Sequence, residues 1–91
     1  IYNFPNPFSD FTQFTFELSK TSDIEIDIYS LGGKKIFSVE KPNAPSGFNI
    51  INWNGQNSFG DFLANGVYIY HIKASNENEK TSSLGRIAKF K

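Results

Sequence analysis

Residues 53–70 read WNGQNSFGDFLANGVYIY and join the end of one predicted β-strand to the start of another. Trp53 ends a run of alternating apolar residues, and a second run follows the polar centre of the segment, formed by Tyr68, Tyr70 and Ile72. Such alternation places one row of side chains on a core and the other row on the opposite face of a strand. The glycines between the two runs accept positive φ without steric cost, so the segment predicts two strands packed on one core around a shaped loop.

The same period of two recurs along the chain. The segments Thr12–Leu18 and Ile24–Ser30 each place three apolar residues on one face and polar residues on the other. Each segment therefore predicts a half-buried strand. The predicted inward residues of these two strands are Phe14, Phe16, Leu18, Ile24, Ile26 and Ile28.

Paired glycines mark the next turn. The segment Leu31–Lys34 predicts a hairpin, since Gly-Gly accepts the positive φ of a two-residue turn. It leads into a strand at Lys35–Glu40 whose inner face stays open, because the inward set is either Ile36 with Ser38 or Phe37 with Val39.

The remaining segments complete the fold prediction. In order they are a loop at Lys41–Gly47, strands at Phe48–Trp53 and Gly66–Ala74, a polar flexible loop at Ser75–Ser83, and a last strand at Leu84–Lys91. Together with a short extended start at Tyr2–Phe4, these elements predict an all-β protein, a seven-stranded antiparallel immunoglobulin-like β-sandwich. The length predicts a single domain over residues 1–91.

Composition narrows the classes of function. The chain has 91 residues, and nine Lys and Arg balance nine Asp and Glu, so the formal net charge is zero. No basic stripe is available to neutralise phosphates, which argues against nucleic acid and against an anionic membrane surface as partners. The lack of cysteine excludes disulfides and thiolate metal sites, and no apolar run is long enough for membrane insertion. The chain begins without Met or a leader, so we expect it to be cut from a longer polypeptide.

Residues that could carry out chemistry are few. His71 lies on the polar side of its strand without an acidic residue or a second His at ligand spacing, which is typical of a surface side chain. The oxygen-bearing residues near the Gly-rich loop lack the spacing of a calcium loop, and turn formation accounts for them better: Asn52, Asn54, Asn57, Asp61 and Asn65. We therefore expect no catalytic residue, no metal and no cofactor.

Val67 and Ile69 are apolar residues on the face where polar residues are expected. They precede His71 and Lys73 on the outward side of the same strand. Either a neighbouring strand or loop covers them, or they form a surface for a partner. Tyr29, opposite its strand's isoleucine face, presents the same two alternatives.

Several motifs follow one another in the order of a known family. They are NFPNPF at 3–8, FTF at 14–16, IYSLGG at 28–33, WNG at 53–55, GDFLANGVY at 60–68 and RIAKFK at 86–91. In this order they resemble the immunoglobulin-like C-terminal domain of type IX secretion cargo in the Bacteroidetes. That domain is similar in turn to the FlgD-type immunoglobulin-like domain. The resemblance covers essentially the whole chain.

The resemblance implies a non-catalytic sorting domain at the C-terminus of a larger secreted protein, which it directs through the type IX system to the cell surface or medium. It also implies two partners, an outer-membrane export or sortase protein and the upstream domain of the same chain. The positions that carry recognition by this resemblance are Pro5, Asn6, Pro7, Gly66, Tyr68, Arg86, Ile87, Ala88, Lys89, Phe90 and Lys91. An edge strand at the chain end suits capture by strand addition.

Two alternatives stay open. The last strand has Ala88 and Lys89 at positions that are apolar in cargo domains, which suits a FlgD-like structural module retained in a secreted or surface enzyme such as the sortase of the system. Aromatic-rich β-sandwiches can also bind carbohydrate on exposed rings. A carbohydrate-binding module would need exposed rings, whereas alternation places Trp53, Tyr68 and Tyr70 on the inner face.

Overall fold

The computed structural model describes residues 2–4 and 11–90. Over these residues the chain forms seven β-strands and no helix. The strands are β1 (Tyr2–Phe4), β2 (Thr12–Leu18), β3 (Ser22–Tyr29), β4 (Lys35–Ala44), β5 (Gly47–Trp53), β6 (Gly66–Ser75) and β7 (Lys80–Lys89).

The strands form two antiparallel sheets. One sheet has the order β1-β2-β5, and the other has the order β4-β3-β6-β7. Their inner faces meet in one core, because each strand alternates apolar and polar residues and must bury its apolar face. The predicted all-β sandwich of seven strands is confirmed.

The core contains the inward residues that alternation predicts, together with Ala44 and Ile87. Its buried apolar members are Phe14, Phe16, Ile24, Ile26, Ile28, Ala44, Ile51, Trp53, Tyr70, Ile72 and Ile87. Trp53 is 3% exposed, and its indole N–H donates a hydrogen bond of 3.0 Å to the carbonyl of Gln56. This hydrogen bond satisfies the only donor of the indole and offsets the cost of removing it from water.

The inner face of β4, which alternation leaves open, is formed by Phe37 and Val39. The Phe37 ring stacks on Trp53 with 5.8 Å between ring centroids, and Val39 packs against the same core. Ile36 is also half-buried and contacts the core, so a strict alternation fails near the hairpin. A register shift between Ile28 and Tyr29 opposite this part of β4 accounts for the irregularity.

Strand β4 is longer than predicted. It continues to Ala44 through Pro42, although the sequence predicts a loop from Lys41. An edge strand tolerates proline because the missing N–H can face away from the neighbouring strand. Asn43 has a φ of 54° and donates its backbone N–H to the Asp23 carboxylate at 2.9 Å, which stabilises the bulge where β3 and β4 lose register.

The segment Ser75–Ser83 is mostly strand, so its prediction as a flexible loop is wrong. Strand β6 runs to Ser75 and β7 begins at Lys80, and the two strands pair in continuous register. Only four residues connect them. The Asn76 side chain closes this turn by accepting hydrogen bonds from the N–H groups of Asn78 and Glu79. Serine and threonine bury little apolar surface, but their backbone groups pair normally in an antiparallel sheet with one face in solvent.

Candidate recognition surface

Strand β7 forms one edge of the four-stranded sheet. It pairs with β6 residue by residue, from Gly66 opposite Lys89 to Ser75 opposite Lys80. No other strand among residues 2–4 and 11–90 pairs with it. Within these residues, β7 is therefore an edge strand of the sheet.

Alternation divides the predicted recognition residues of β7 into two sets. Ile87 is fully buried and Lys89 is 5% exposed, so both side chains point into the sandwich. Arg86 is exposed and Ala88 is half-buried on the opposite face, while Phe90 follows the strand and is 74% exposed. In the folded domain, a partner can contact the side chains of the second set but not those of the first.

Lys89 is a charged residue that points inward from an edge strand. Its ammonium nitrogen lies 5.2 Å from the centroid of the Phe62 ring, at the end of the sandwich. This contact is a cation–π interaction, and the aliphatic stem of the lysine fits among apolar neighbours. The lysine that departs from the apolar pattern therefore packs at the end of the sandwich.

The outward residues of β6 and β7 form one surface. Val67 lies opposite Ala88, Ile69 lies opposite Arg86, and Leu84 lies one pair further along, opposite His71. Val67 is 41% exposed and Leu84 is 68% exposed. We call this surface the β6–β7 patch and define it as Val67, Ile69, Leu84, Arg86 and Ala88. The structure thus brings the outward apolar pair of β6 beside the terminal strand, and it adds Leu84.

The sequence places Leu84 at the start of the predicted last strand, but no faces are assigned to that strand, so Leu84 is not identified as part of the outward row. The signal was present, since Leu84, Arg86 and Ala88 occupy every second position.

Gly66 and Tyr68 adjoin the same strand on its inner side. Gly66 pairs with Lys89, and Tyr68 pairs with Ile87. The Tyr68 hydroxyl donates a 2.7 Å hydrogen bond to the carbonyl of Ala64, which fixes the loop before β6. In the structure, Tyr68 therefore joins the loop to the core.

The three aromatic rings considered for carbohydrate binding, those of Trp53, Tyr68 and Tyr70, are buried or half-buried. Tyr70 is 7% exposed and contacts Phe14 edge to face, with 5.2 Å between ring centroids. Burial raises the pKa of the Tyr70 hydroxyl. Trp53 is buried and Tyr68 is half-buried. Trp53 and Tyr70 therefore lie in the core and Tyr68 packs against it, as alternation predicts.

A cluster of charged residues lies beside the patch on the same sheet face. Asp27 was predicted on the solvent side of β3, yet it is fully buried. Its Oδ1 accepts a 2.7 Å hydrogen bond from the Ser38 hydroxyl. The ammonium groups of Lys35 and Lys73 lie 3.5 and 3.4 Å from its two oxygens, and Lys73 also lies 3.5 Å from the Glu25 carboxylate.

In this cluster, Asp27 and Lys73 each favour the charged form of the other. Burial by itself raises the pKa of the Asp27 carboxyl, but the hydrogen bond from Ser38 and the two ammonium groups outweigh burial and hold the pKa below its ordinary value. The hydrogen bond to Asp27 and the charge of Glu25 in turn raise the pKa of Lys73. The Asp27 carboxylate therefore stays ionised under its two lysines.

The asparagines near the Gly-rich loop stabilise turns. Asn54 Oδ1 accepts a hydrogen bond from the N–H of Gln56, and Asn57 Oδ1 accepts hydrogen bonds from those of Phe59 and Asp61. These are the local hydrogen bonds that make asparagine a turn residue. Across the described part of the chain, no group of three or more His, Cys, Asp or Glu residues could hold a metal ion. The same residues include no helix that could cross a membrane.

Four predicted recognition residues lie outside the described residues. They are Pro5, Asn6, Pro7 and Lys91.

The chain was compared with models of known protein families and with curated protein sequences. The family described as the secretion system C-terminal sorting domain matches residues 2–84. This match includes Gly66 and Tyr68 but ends before Arg86. A search of curated protein sequences finds no significant match.

Solved structures share the fold. Dimeric latent PorU from Porphyromonas gingivalis superposes with a TM-score of 0.79 at 21% identity, covering 97% of this chain and 9% of the PorU chain. FlgD from P. aeruginosa gives a TM-score of 0.72 at 16% identity, covering 87% of this chain and 61% of that one. FlgD from Xanthomonas campestris, described in connection with hook capping in flagellar assembly, gives 0.68 at 13% identity, covering 94% of this chain and 60% of that one.

The similarity to these solved structures agrees with the β-sandwich fold. The family match spans nearly the whole chain. Sorting domains of this family direct the proteins that carry them through the type IX system to the cell surface or the medium. The chain belongs to the family of secretion system C-terminal sorting domains.

Proposed function

We propose that this domain is a non-catalytic sorting signal that the export machinery recognises through the β6–β7 patch. The partner would be an outer-membrane export or sortase protein. The domain would be the C-terminal part of a larger secreted protein, whose own activity lies upstream.

The observation that carries the proposal is the register between β6 and β7. It sets the outward apolar pair Val67 and Ile69 directly against Ala88 and Arg86 of the terminal strand. An apolar strip bordered by an arginine offers a partner side-chain contacts of the kind found in protein interfaces. Phe90, the residue after the strand, is 74% exposed.

The other residues that the family resemblance singles out in β6 and β7 lie on the inner side of the sheet and hold the two strands in place. Ile87 anchors β7 in the core and Lys89 closes its end over Phe62. Tyr68 fixes the loop that leads into β6. Recognition therefore depends on a folded sandwich, and these residues position the patch without contacting the partner.

A reporter fusion tests the proposal. Residues 1–91 would be fused to the C-terminus of a periplasmic fluorescent protein in a host with type IX machinery, and fluorescence would be measured in the periplasm, on the cell surface and in the medium. The variant Val67→Asp places a charge in the patch. Its exported fraction should fall about tenfold or more, the effect of roughly 1.4 kcal/mol of lost recognition energy.

The matched control is Phe59→Asp. Phe59 is 91% exposed on the loop before β6 and lies outside the patch, so the same kind of substitution should leave export unchanged. Both variants should melt close to the parent, because neither side chain belongs to the core. Equal export of Val67→Asp and the parent would remove the patch from recognition. If even the unmodified fusion stays folded in the periplasm, the retained FlgD-like module becomes the better account of the domain.

A further inference from the structure

Asparagine followed by glycine occurs twice in the chain, at Asn54–Gly55 and at Asn65–Gly66. This dipeptide is chemically labile, because the backbone nitrogen of the glycine can attack the side-chain carbonyl carbon of the asparagine. Glycine has no Cβ to obstruct that approach. Every other asparagine in the sequence precedes a residue with a side chain. The two dipeptides are therefore the places where the chain is most open to this reaction.

The reaction converts the asparagine with water as its only co-reactant. The glycine nitrogen loses its proton to a base in the solvent and bonds to the asparagine Cγ, and the bond between Cγ and Nδ2 breaks so that ammonia leaves. The resulting succinimide ring takes up one water and opens at either carbonyl. The product is an aspartate, or an isoaspartate whose backbone runs through the former side chain. The first step therefore requires that base in the solvent reaches the glycine N–H.

Burial opposes the reaction at Asn54. Gly55 is buried, so its N–H is kept from base in the solvent. Its carbonyl accepts a 2.9 Å hydrogen bond from the backbone N–H of Leu63, which fixes the glycine within the loop. The Asn54 side chain is held by Gln56, because Oδ1 accepts a 3.3 Å hydrogen bond from the Gln56 N–H and Nδ2 donates a 3.1 Å hydrogen bond to the Gln56 Oε1. Attack at Asn54 therefore requires a local opening of the loop.

The second dipeptide lies at the surface. Asn65 and Gly66 are both exposed. Gly66 is the first residue of β6 and lies opposite Lys89 in the end pair of the β6–β7 ladder. The ends of ordered elements open at a lower free-energy cost than their centres. Base in the solvent therefore reaches the Gly66 backbone without an opening of the core.

We propose that Asn65 is a site of spontaneous modification, at which the Gly66 nitrogen converts the asparagine to aspartate and isoaspartate in the folded domain, while Asn54 is protected. The reaction places a new negative charge two residues before Val67 of the β6–β7 patch. The inference goes beyond the proposed function, because it concerns a covalent change of the chain and does not depend on what the patch binds.

The isoaspartate product would alter the entry into β6. It adds one backbone carbon between Ala64 and Tyr68, whose carbonyl and hydroxyl are joined by a 2.7 Å hydrogen bond. The isoaspartate form, separated by chromatography, should therefore melt at a lower temperature than the variant Asn65→Asp, which carries the same charge on an ordinary backbone. Equal melting of the two would contradict this effect of the added carbon.

Mass spectrometry of the 91-residue chain, incubated in mildly alkaline buffer made with heavy-oxygen water, tests the proposal. Chymotrypsin cleaves after Phe59 and Phe62, so the two dipeptides appear in separate peptides. Heavy oxygen marks the conversion that occurs before digestion. In the folded chain Asn65 should be converted at least about tenfold faster than Asn54, a ratio that corresponds to about 1.4 kcal/mol of activation free energy.

The same chain unfolded in urea is the matched control, because the two asparagines should then be converted at similar rates. The variant Asn65→Gln should lose the fast conversion, since glutamine would have to form a larger ring. Equal rates at Asn54 and Asn65 in the folded chain, or a faster rate at Asn54, overturn the proposal. So does an Asn65 that stays intact in the folded chain while the unfolded chain is converted. An equal preference for Asn65 in urea would place the cause in the local sequence and overturn the protection of Asn54 by the fold.

Discussion

At the scale of single residues, Asp27 shows how position on a strand and burial can disagree. Alternation places it on the outer face of β3, and the structure agrees, yet no part of the residue reaches solvent. The side chains of Lys35 and Lys73 lie across it from the two neighbouring strands. Period-two patterns predict which face a residue occupies. They do not predict which long side chains from other strands will cover it.

The buried carboxylate predicts an acid-sensitive stability. Because folding holds the pKa of Asp27 below its ordinary value, the folded state favours the ionised form. The resulting stabilisation is fully present above about pH 4 and is lost as the pH falls through the folded-state pKa. At pH 7 the variant Asp27→Asn should lose about 1–2 kcal/mol, since a hydrogen bond to a charged group is replaced by a neutral one.

Urea unfolding followed by circular dichroism at several pH values measures this effect. The difference between the parent and Asp27→Asn should be largest near neutral pH and should shrink toward pH 3. The control Glu17→Gln removes a carboxylate from an exposed position on β2, so it tests whether any loss of negative charge has the same effect. A difference between the parent and Asp27→Asn that stays constant from pH 7 to pH 3 would show that the ion pairs are not responsible.

At the scale of secondary structure, the packing of β7 against β6 depends on a glycine. Gly85 of β7 lies opposite Tyr70 of β6, and a Cβ atom placed on Gly85 would overlap with the Tyr70 ring. The ring covers the bare backbone and contacts Phe14 on the other sheet. The strand that carries the proposed recognition surface therefore depends on one position without a side chain.

The substitution Gly85→Ala should destabilise the domain by about 1–3 kcal/mol, because overpacking forces either Tyr70 or β7 to move. Thermal melts provide the measurement. The control Gly32→Ala makes the same change in the hairpin turn, where a Cβ would lie 3.8 Å from the Ser30 hydroxyl, an ordinary contact. Gly32→Ala should melt near the parent. If the two variants melt together, Tyr70 does not fill the space above Gly85.

Much of the secondary structure could be predicted because apolar alternation is strong where strands face the core. The inward rows of β2, β3 and β6 are as predicted. Strand ends were harder to predict. Pro42 and the polar run around Ser82 read as loop, whereas pairing with a neighbour extends both strands. In both cases the extension depends on the partner strand of a hairpin, which the strand propensities of the residues themselves do not report.

The recognition surface was predictable in its parts but not as a surface. The terminal strand and the outward pair Val67 and Ile69 were identified separately. Their contact depends on the register of β6 against β7, and register follows from the turn at Asn76, which the sequence reading had placed inside a longer loop. A one-residue slip would have turned the outward row inward.

At the scale of the whole molecule, the sandwich presents its proposed recognition residues only when it is folded. Strands β6 and β7 approach one another through a four-residue turn, and their inner rows are held by a core to which both sheets contribute. The β7 segment alone would keep its sequence but would lose β6, the buried anchor of Ile87 and the ordered edge. Our central claim is therefore that the signal is a folded surface and not a linear C-terminal peptide.

The most direct measurement compares two fusions to the same periplasmic fluorescent protein in a host with type IX machinery. One fusion carries residues 1–91, and the other carries residues 80–91, which contain all of β7. We predict that the first reaches the cell surface or the medium and that the second remains in the periplasm. Export of the short fusion as efficiently as the whole domain would contradict the claim, because recognition would then reside in the terminal sequence alone.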